Sequence, residues 1–429
     1  MSLPAPTALE VQLWSYNYDP EPTGIGPLTT VLARQLTTRR HRVTVLAAHP
    51  HYPQPVWGSC RRPYREHRDG IEVLRLPLWP GRASTIARVR QELTFTAALT
   101  AVAPVLPTPD VVVAVSPSFP ALGPAMLNAC ARRVPWILWL QDILPDGATA
   151  TGLLDEGPLI ALARRFERLA YRSAARIVVI SDSFAENLRS KGICESELTR
   201  IYNPATHPVA VQPRPLAEPP VPTVLTMGNV GHTQNLVAVT QAFERSLALG
   251  ELGARLVIAG DGVAGDQVRA AIRTDRIEVT GVLDSRELER RLAQATVALV
   301  SQSYEGIDFN VPSKLMNFMA LGLPVIASVR PESEVAHILR ASGGGWSTDS
   351  ADLDRGMSFL AAVLRDPAGR AERGQAGWRF ARERFTPERF GDDFERAIAG
   401  VLGRSRSRSG DESGAPSNAP RGSRRHTDY

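Results

Sequence analysis

The sequence predicts an α/β protein made of two doubly wound parallel-sheet units facing each other across a cleft. Three observations predict it. Short apolar runs alternate with helical patterns through most of the 429 residues, the alternation stops once at a proline-rich stretch, and it then restarts with the same rhythm. Strand, helix, strand repeated in this way places helices on both faces of parallel strands.

The first unit opens with the strand LEVQLWS, the loop YNYDPEPTGIG and the helix PLTTVLARQLTTRR. The strand RVTVLAA follows, then a long loop and the strand GIEVLRL. A helix near 84–103, the strand DVVVAVS, a helix near 119–132, the strand WILWLQ and a helix near 158–174 come next. The strand RIVVIS, a helix near 183–190 and the strand LTRIYN complete the unit. PATHPVAVQPRPLAEPPVP is too stiff and too poor in donors for a core element, so it reads as a linker. The second unit alternates TVLTMGN, helix 233–249, RLVIAG, helix 264–273, IEVTG, helix 285–294, VALVS, helix 312–321 and PVIAS. Helices near 350–365, 368–384 and 387–402 close it. The resulting division is an N-terminal unit over 1–207, a linker over 208–222, a C-terminal unit over 223–385, a closing helix over 386–402 and a disordered basic tail over 403–429.

Charge and cysteine use narrow the function classes. The net charge is +5, of which the tail from Gly403 holds +3 through six arginines set against Asp411, Glu412 and Asp428. The +2 left on the rest of the chain is too weak an argument for a nucleic-acid partner. Cys60, Cys130 and Cys194 are odd in number and far apart, which fits a reducing compartment and neither a disulfide framework nor a zinc spacing. The opening MSLPAPTALEVQLWS lacks the basic start and apolar run of a secretory signal, and the longest apolar stretch is cut by Pro104 and Pro107. The expectation is a cytoplasmic protein with room for a peripheral contact on the cytoplasmic membrane face.

Doubly wound sheets bind ligands beyond the carboxyl ends of their strands, so chemistry is sought in the loops there. In PEPTGIGP, Gly24 and Gly26 let the backbone approach a ligand ahead of a helix N-terminus that favours an anion. AHPHYP carries His49, His51 and Tyr52, which read either as polar contacts lining the cleft or as a plain loop; no third ligand stands at a metal-binding spacing. LQDILPD places Asp142 where a carboxylate could meet a sugar hydroxyl or move a proton, while Asp146 suits a turn better. In TMGNVGHTQN, Gly228 and Gly231 bracket Asn229, Thr233 is placed to cap the next helix, and the loop amides suit a diphosphate. Asp261 in AGDGV reads as a turn residue first and as part of a nucleotide wall second.

The stretch EGIDFNVPSKLMNFMALGLPVIAS poses the sharpest question. Only Lys191 and Lys314 stand against forty-seven arginines, and Lys314 falls in the first turn of an apolar helix beside Pro312 and Ser313. A cation there opposes the helix dipole unless an anion shares that helix end. Asn317, one turn on, is positioned to reach a ribose or sugar hydroxyl, and Glu305 and Asp308 lie in the preceding loop.

Together LVIAGDG, VALVSQS, IVVISDS with IYNPA, and NFMAL leading into GLPVIAS resemble the family 4 (group 1) glycosyltransferases of the GT-B fold, over residues 8 to 400. YNYDPEPTGIGPLT, AAHPHYP, LQDILPD, MGNVGHTQNL and VPSKLMNFMALG resemble the branch that builds colanic acid and O-antigen-type polysaccharides, fucosamine transferases included. The resemblance implies transfer of a hexose or N-acetylhexosamine from a nucleotide sugar, UDP-linked, with retention at the anomeric carbon and no metal or other cofactor. The acceptor it implies is a lipid diphosphate or a small molecule. It also implies catalytic roles for Lys314, Asp142 and Glu305, and donor contacts from Gly24, Gly26, Gly228, Asn229, Gly231, Gln234, Asp261, Ser313 and Asn317. His49, His51 and Tyr52 fall on the acceptor side. Two departures stand out. Asn229 and Gln234 replace the family's Arg and Lys, and Phe309 and Asn317 stand where its two glutamates would be. With those cations gone, Lys314 becomes the residue left to neutralise a diphosphate. Basic loops around Trp57, Tyr64 and Phe95 read either as an anionic-membrane contact or as a solvated surface. The rival readings are a nucleotide-sugar epimerase of the same architecture and an inactive sugar- or lipid-binding scaffold.

Overall fold

The structure, a computed structural model, describes residues 8–22, 24–51, 57–58, 60–79, 85–116, 122–142, 157–209, 219–304 and 311–412. The first unit contains β1 (Glu10–Ser15), α1 (Gly26–Thr38), β2 (Arg42–Ala48), β3 (Tyr64–Arg68), β4 (Ile71–Leu76), α2 (Thr85–Val102), β5 (Val111–Val115), α3 (Leu122–Arg132), β6 (Trp136–Leu140), α4 (Pro158–Ser173), β7 (Arg176–Val179), α5 (Asp182–Ser190) and β8 (Leu198–Arg200). The second contains β9 (Thr223–Met227), α6 (Leu236–Arg245), α7 (Leu247–Glu251), β10 (Arg255–Ala259), α8 (Gly265–Ala271), β11 (Ile277–Val279), α9 (Ser285–Gln294), β12 (Val297–Ser301), α10 (Ser313–Ala320), β13 (Val325–Val329), α11 (Glu334–Ser342), β14 (Gly345–Asp349), α12 (Leu353–Leu364), α13 (Pro367–Arg384) and α14 (Pro387–Glu412).

The strand orders are β3-β4-β2-β1-β5-β6-β7-β8 and β11-β10-β9-β12-β13-β14, parallel throughout except for the antiparallel β3–β4 pair. Each sheet therefore reverses its winding once, between β1 and β5 and between β9 and β12. The crevices where bound ligands are expected open at those two points. Helices bury apolar faces on both sides of each sheet: Phe95, Leu99, Leu122 and Tyr171 on one side of the first, and Leu32, Leu36, Phe390 and Phe394 on the other.

The closing helix ties the units together. Starting from the second unit, α14 returns to the first, where Phe390 and Phe394 set their rings 5.5 and 5.1 Å from that of Trp139. Arg39 of α1 pairs with Asp392 and Glu395 of the same helix. At the crossing point the amide of Ala205 donates to the carbonyl of Phe385 at 2.8 Å, so the two connecting segments form one hinge.

Several elements depart from the sequence reading. β3, α11 and β14 were not expected: YREHR is too charged to signal a strand, and it forms an edge strand. The helix expected over 233–249 is two helices. Asn235 takes a left-handed conformation (φ 51°) before α6, and the extended Ser246 caps α7 through Leu249 N. Thr233 therefore caps nothing; its carbonyl accepts from Ser303 N at 2.8 Å. The closing helix runs to Glu412, ten residues into the stretch expected to be disordered. Residues 210–218 of the expected linker lie outside the described residues.

Candidate active site between the two sheets

On the second unit the site is built around the β9–β12 reversal. β9 ends in Thr226 and Met227 and passes into the loop 228–231, where Gly228 takes φ 100°. That loop lies directly on the loop after β10. Gly228 N donates to Ala259 O at 2.9 Å and Val230 N to Asp261 O at 3.0 Å. A Cβ on Gly260 would fall 1.8 Å from the Gly228 carbonyl, so only glycine permits this approach. The result is a shallow cradle with Gly228 and Asn229 exposed and Gly231 buried. Asp261 is a turn residue here, accepting from Gly262 N and pairing with Arg269 at 3.3 Å.

Lys314 enters the cradle from behind. It is 7% exposed, and its Nζ donates to Gln234 Oε1 at 2.5 Å and to Thr226 Oγ1 at 3.4 Å. Among the described residues no carboxylate pairs with it. Burial alone pulls the ammonium down from 10.5 to about 7, so nearby anionic charge would restore it. The first turn of α10 has no side-chain cap, Pro312 lacking the means to supply one, and Ser313 is exposed beside it. A buried cation, uncapped helix amides and a glycine cradle thus converge at one reversal point. Glu305 and Asp308 lie outside the described residues.

Asn317 corrects the sequence reading. Its side chain is 5% exposed and turned away from the cradle, with Oδ1 accepting from Thr206 N at 2.8 Å, Thr206 Oγ1 at 3.2 Å and His207 N at 3.2 Å. Nδ2 donates back to Thr206 Oγ1 at 3.0 Å. It grips the hinge, not a ribose, because the hinge backbone offers two amides that a short acceptor one turn into α10 can reach.

On the first unit, Gly24 takes φ 69° and is exposed, while Gly26 starts α1 where a Cβ would lie 2.9 Å from Glu21 O. His51 is also a correction. It is 2% exposed, its amide donates to Glu21 Oε1 at 2.7 Å and its Nδ1 lies 3.2 Å from the same oxygen. Asn17 Nδ2 donates to Glu21 Oε2 at 2.8 Å, and the Tyr16 ring packs edge-on against the imidazole at 4.5 Å. His49 places Nδ1 3.1 Å from Tyr64 Oη and Nε2 3.0 Å from Trp57 O. Both histidines brace the loops behind the cleft wall, because each ring nitrogen finds a partner inside the protein. Tyr52 lies outside the described residues. Asp142 is exposed past the end of β6, and neighbouring Gln141 forms a reciprocal amide pair with Asn203 at 2.8 Å. Sequence reasoning missed Glu21, whose burial is not signalled by its polar neighbours. Glu21 also lines a cavity of about 630 Å³ between the first unit and the hinge segments, with Asp19, Arg34, Thr206, His207 and Glu388. Lys314 is not among its lining residues.

Residues 23–204 match the family model described as a glycosyl transferase 4-like domain, and residues 221–363 match that of glycosyl transferases group 1. The chain belongs to the group 1 glycosyltransferases. This glycosyltransferase is 27% identical over 357 residues to WcaI of Escherichia coli (strain K12), named as a colanic acid biosynthesis glycosyl transferase, a match spanning 78% of this chain and 87% of that one. That relationship sets it on the colanic acid and O-antigen-like branch. Among solved structures, sucrose-phosphate synthase from Thermosynechococcus elongatus is similar with a TM-score of 0.69 at 15% identity, covering 92% of this chain and 99% of that one. HepE of Anabaena in complex with UDP-glucose is similar with a TM-score of 0.64 at 14% identity, covering 92% and 100%. The fold is GT-B, two Rossmann-like units facing across a cleft. In the glycosyltransferase, Gln234, expected as a donor contact, accepts from Lys314 Nζ.

Proposed function

We propose that the enzyme moves a hexosyl or N-acetylhexosaminyl group from a nucleotide sugar to a lipid-linked or small-molecule acceptor, in polysaccharide or secondary-metabolite biosynthesis. The single observation that carries this reading is Lys314, a buried ammonium site at the β9–β12 reversal with no carboxylate partner among the described residues. A diphosphate in the cradle would accept from the loop 228–231 amides and the first turn of α10, and would restore the charge on Nζ. UDP is the nucleotide we assign, since the similar HepE is described in complex with UDP-glucose.

As the glycosidic bond breaks, negative charge accumulates on the leaving phosphate. A cation already fixed beside it stabilises that state more than the ground state. Lys314 thereby supplies charge that many transferases obtain from a metal ion, which supports metal-independent transfer. Retention is the stereochemistry that the family resemblance implies. Asp142 is assigned to the acceptor hydroxyl, and the lipid-linked acceptor is taken to meet the enzyme at the membrane face.

Lys314→Ala should lower kcat by about 10²-fold or more with UDP-sugar, while its melting curve stays cooperative. A rate equal to the parent enzyme's would remove the basis of the proposal. Added chelator should leave turnover unchanged, and the product's anomeric configuration, read by NMR, should match the donor's.

A further inference from the structure

The outer layer of the first unit, formed by α2, α3 and α4, is apolar and cationic at once. Six of the thirteen exposed large hydrophobic side chains of the described residues lie on it or at its rim: Trp79, Val89, Leu93, Leu127, Leu162 and Leu169. Scattered exposed leucines are ordinary, but a cluster on one layer is not.

Helix α4 shows the pattern most sharply. Leu162, Arg165, Arg168, Leu169 and Arg172 are exposed and recur at helical spacing along one face. The helix has one acid, Glu167, which is turned inward and held by Tyr171 Oη at 2.7 Å and Lys191 Nζ at 3.1 Å. None of the three arginines has a carboxylate partner among the described residues. At the rim, Arg90 of α2 holds its guanidinium 4.8 Å from the centre of the Trp79 ring, and Trp79 is 60% exposed just beyond β4. α3 joins the two helices, with the Phe166 ring of α4 3.7 Å from where a Cβ on Gly123 would stand. In the chain α2 and α4 come after β4 and β6, and Asp142 stands exposed just past the end of β6.

We propose that the α2–α3–α4 face docks on an anionic phospholipid surface. Leucines interleaved with unpaired arginines match a bilayer interface, where apolar side chains enter the acyl boundary and guanidinium groups meet lipid phosphates. An indole at the rim suits the same depth. A nucleic acid would leave the leucines in water, and a second copy of so cationic a face would repel the first. The inference extends the reading of a lipid-linked acceptor but stands apart from it, because vesicle binding and sugar transfer are measured separately.

The test is sedimentation of the full chain with phosphatidylcholine vesicles, with and without phosphatidylglycerol, at low and high salt. The parent protein should bind only the anionic vesicles, and less at high salt. Arg165→Glu with Arg168→Glu, and separately Leu162→Ser with Leu169→Ser, should each weaken binding by about tenfold or more. Arg286→Glu with Arg355→Glu, the same charge change on exposed sites of the second unit, should leave it within about twofold. All four positions on the face are exposed, so circular dichroism melts should be unchanged, as should turnover with a water-soluble acceptor. Failure of the parent protein to bind anionic vesicles, equal losses in the control variant, or a dimer that the leucine variant dissociates would each overturn the proposal.

Discussion

Lys314 stores an unfavourable interaction, the burial of its ammonium group, that a bound anion would relieve. Its neutral form is favoured in the free fold, so between about 7 and 10.5 the unfolded chain binds more protons and stability rises with pH. Replacement by an apolar side chain of similar length removes that cost. Lys314→Met should stabilise the free enzyme at neutral pH by on the order of 1 kcal/mol and flatten this pH dependence while abolishing turnover; differential scanning calorimetry across pH checks it. For the donor the sign is opposite. An anion raises the ammonium back, so donor affinity should be full below about 7 and fall as pH rises above it, an effect missing in the Met variant. Isothermal titration with UDP reads this directly. Glu21 is the contrasting case, a buried carboxylate fully engaged by the His51 amide, His51 Nδ1 and Asn17. Glu21→Ala should cost about 3 kcal/mol in urea unfolding because it strands several donors at once.

At the scale of elements, the cradle depends on two loops in backbone contact. Gly260→Ala would drive a methyl group into the Gly228 carbonyl, so the loops must separate. The expected cost is about 2 kcal/mol or more, with weaker UDP binding as the diagnostic; unchanged affinity would mean the cradle does not hold the nucleotide. Helix α10 carries two functions one turn apart: Lys314 faces the cradle and Asn317 grips Thr206 and His207 at the hinge. The sequence placed this helix within one residue at each end, and it identified Lys314 from its isolation among arginines. It could not show which way Asn317 points, because a polar residue on an apolar helix signals a partner without naming it. His49 and His51 were legible as residues after β2, but their inward orientation follows from Tyr64, Glu21 and Asn17, which are remote from them in the pattern.

At the scale of the molecule, a second contact joins the units beside the hinge tie, where the Tyr202 ring packs 5.5 Å from that of Phe385. Glu334, at the start of α11, accepts at Oε2 from Asp182 N at 3.2 Å and Ser183 N at 3.4 Å, the first-turn amides of α5 in the other unit. Tyr202 Oη donates to its Oε1 at 3.4 Å. Burial, joined by the neighbouring Asp182 carboxylate, pushes the Glu334 carboxyl above its ordinary range. A raised carboxyl favours the docked state in its protonated form, so docking should tighten as pH falls and loosen as pH rises through the raised value. Glu334→Gln keeps an oxygen acceptor for both amides and cannot ionise. It should hold the units docked and make the radius of gyration in X-ray scattering independent of pH over that window, whereas the parent should expand at higher pH.

Alternating apolar runs and the proline break were enough to determine two parallel-sheet units, and the scarcity of lysine was enough to single out Lys314 as a candidate, since periodicity and composition are local properties of the chain. The edge strands, the split of the helix after β9 and the length of α14 depended on what each segment packs against. The same holds for the assignment of Asn317 to the hinge and of Glu334 to α5, because a hydrogen-bonding side chain is committed by the donors that folding brings within about 3 Å, and those come from distant parts of the sequence.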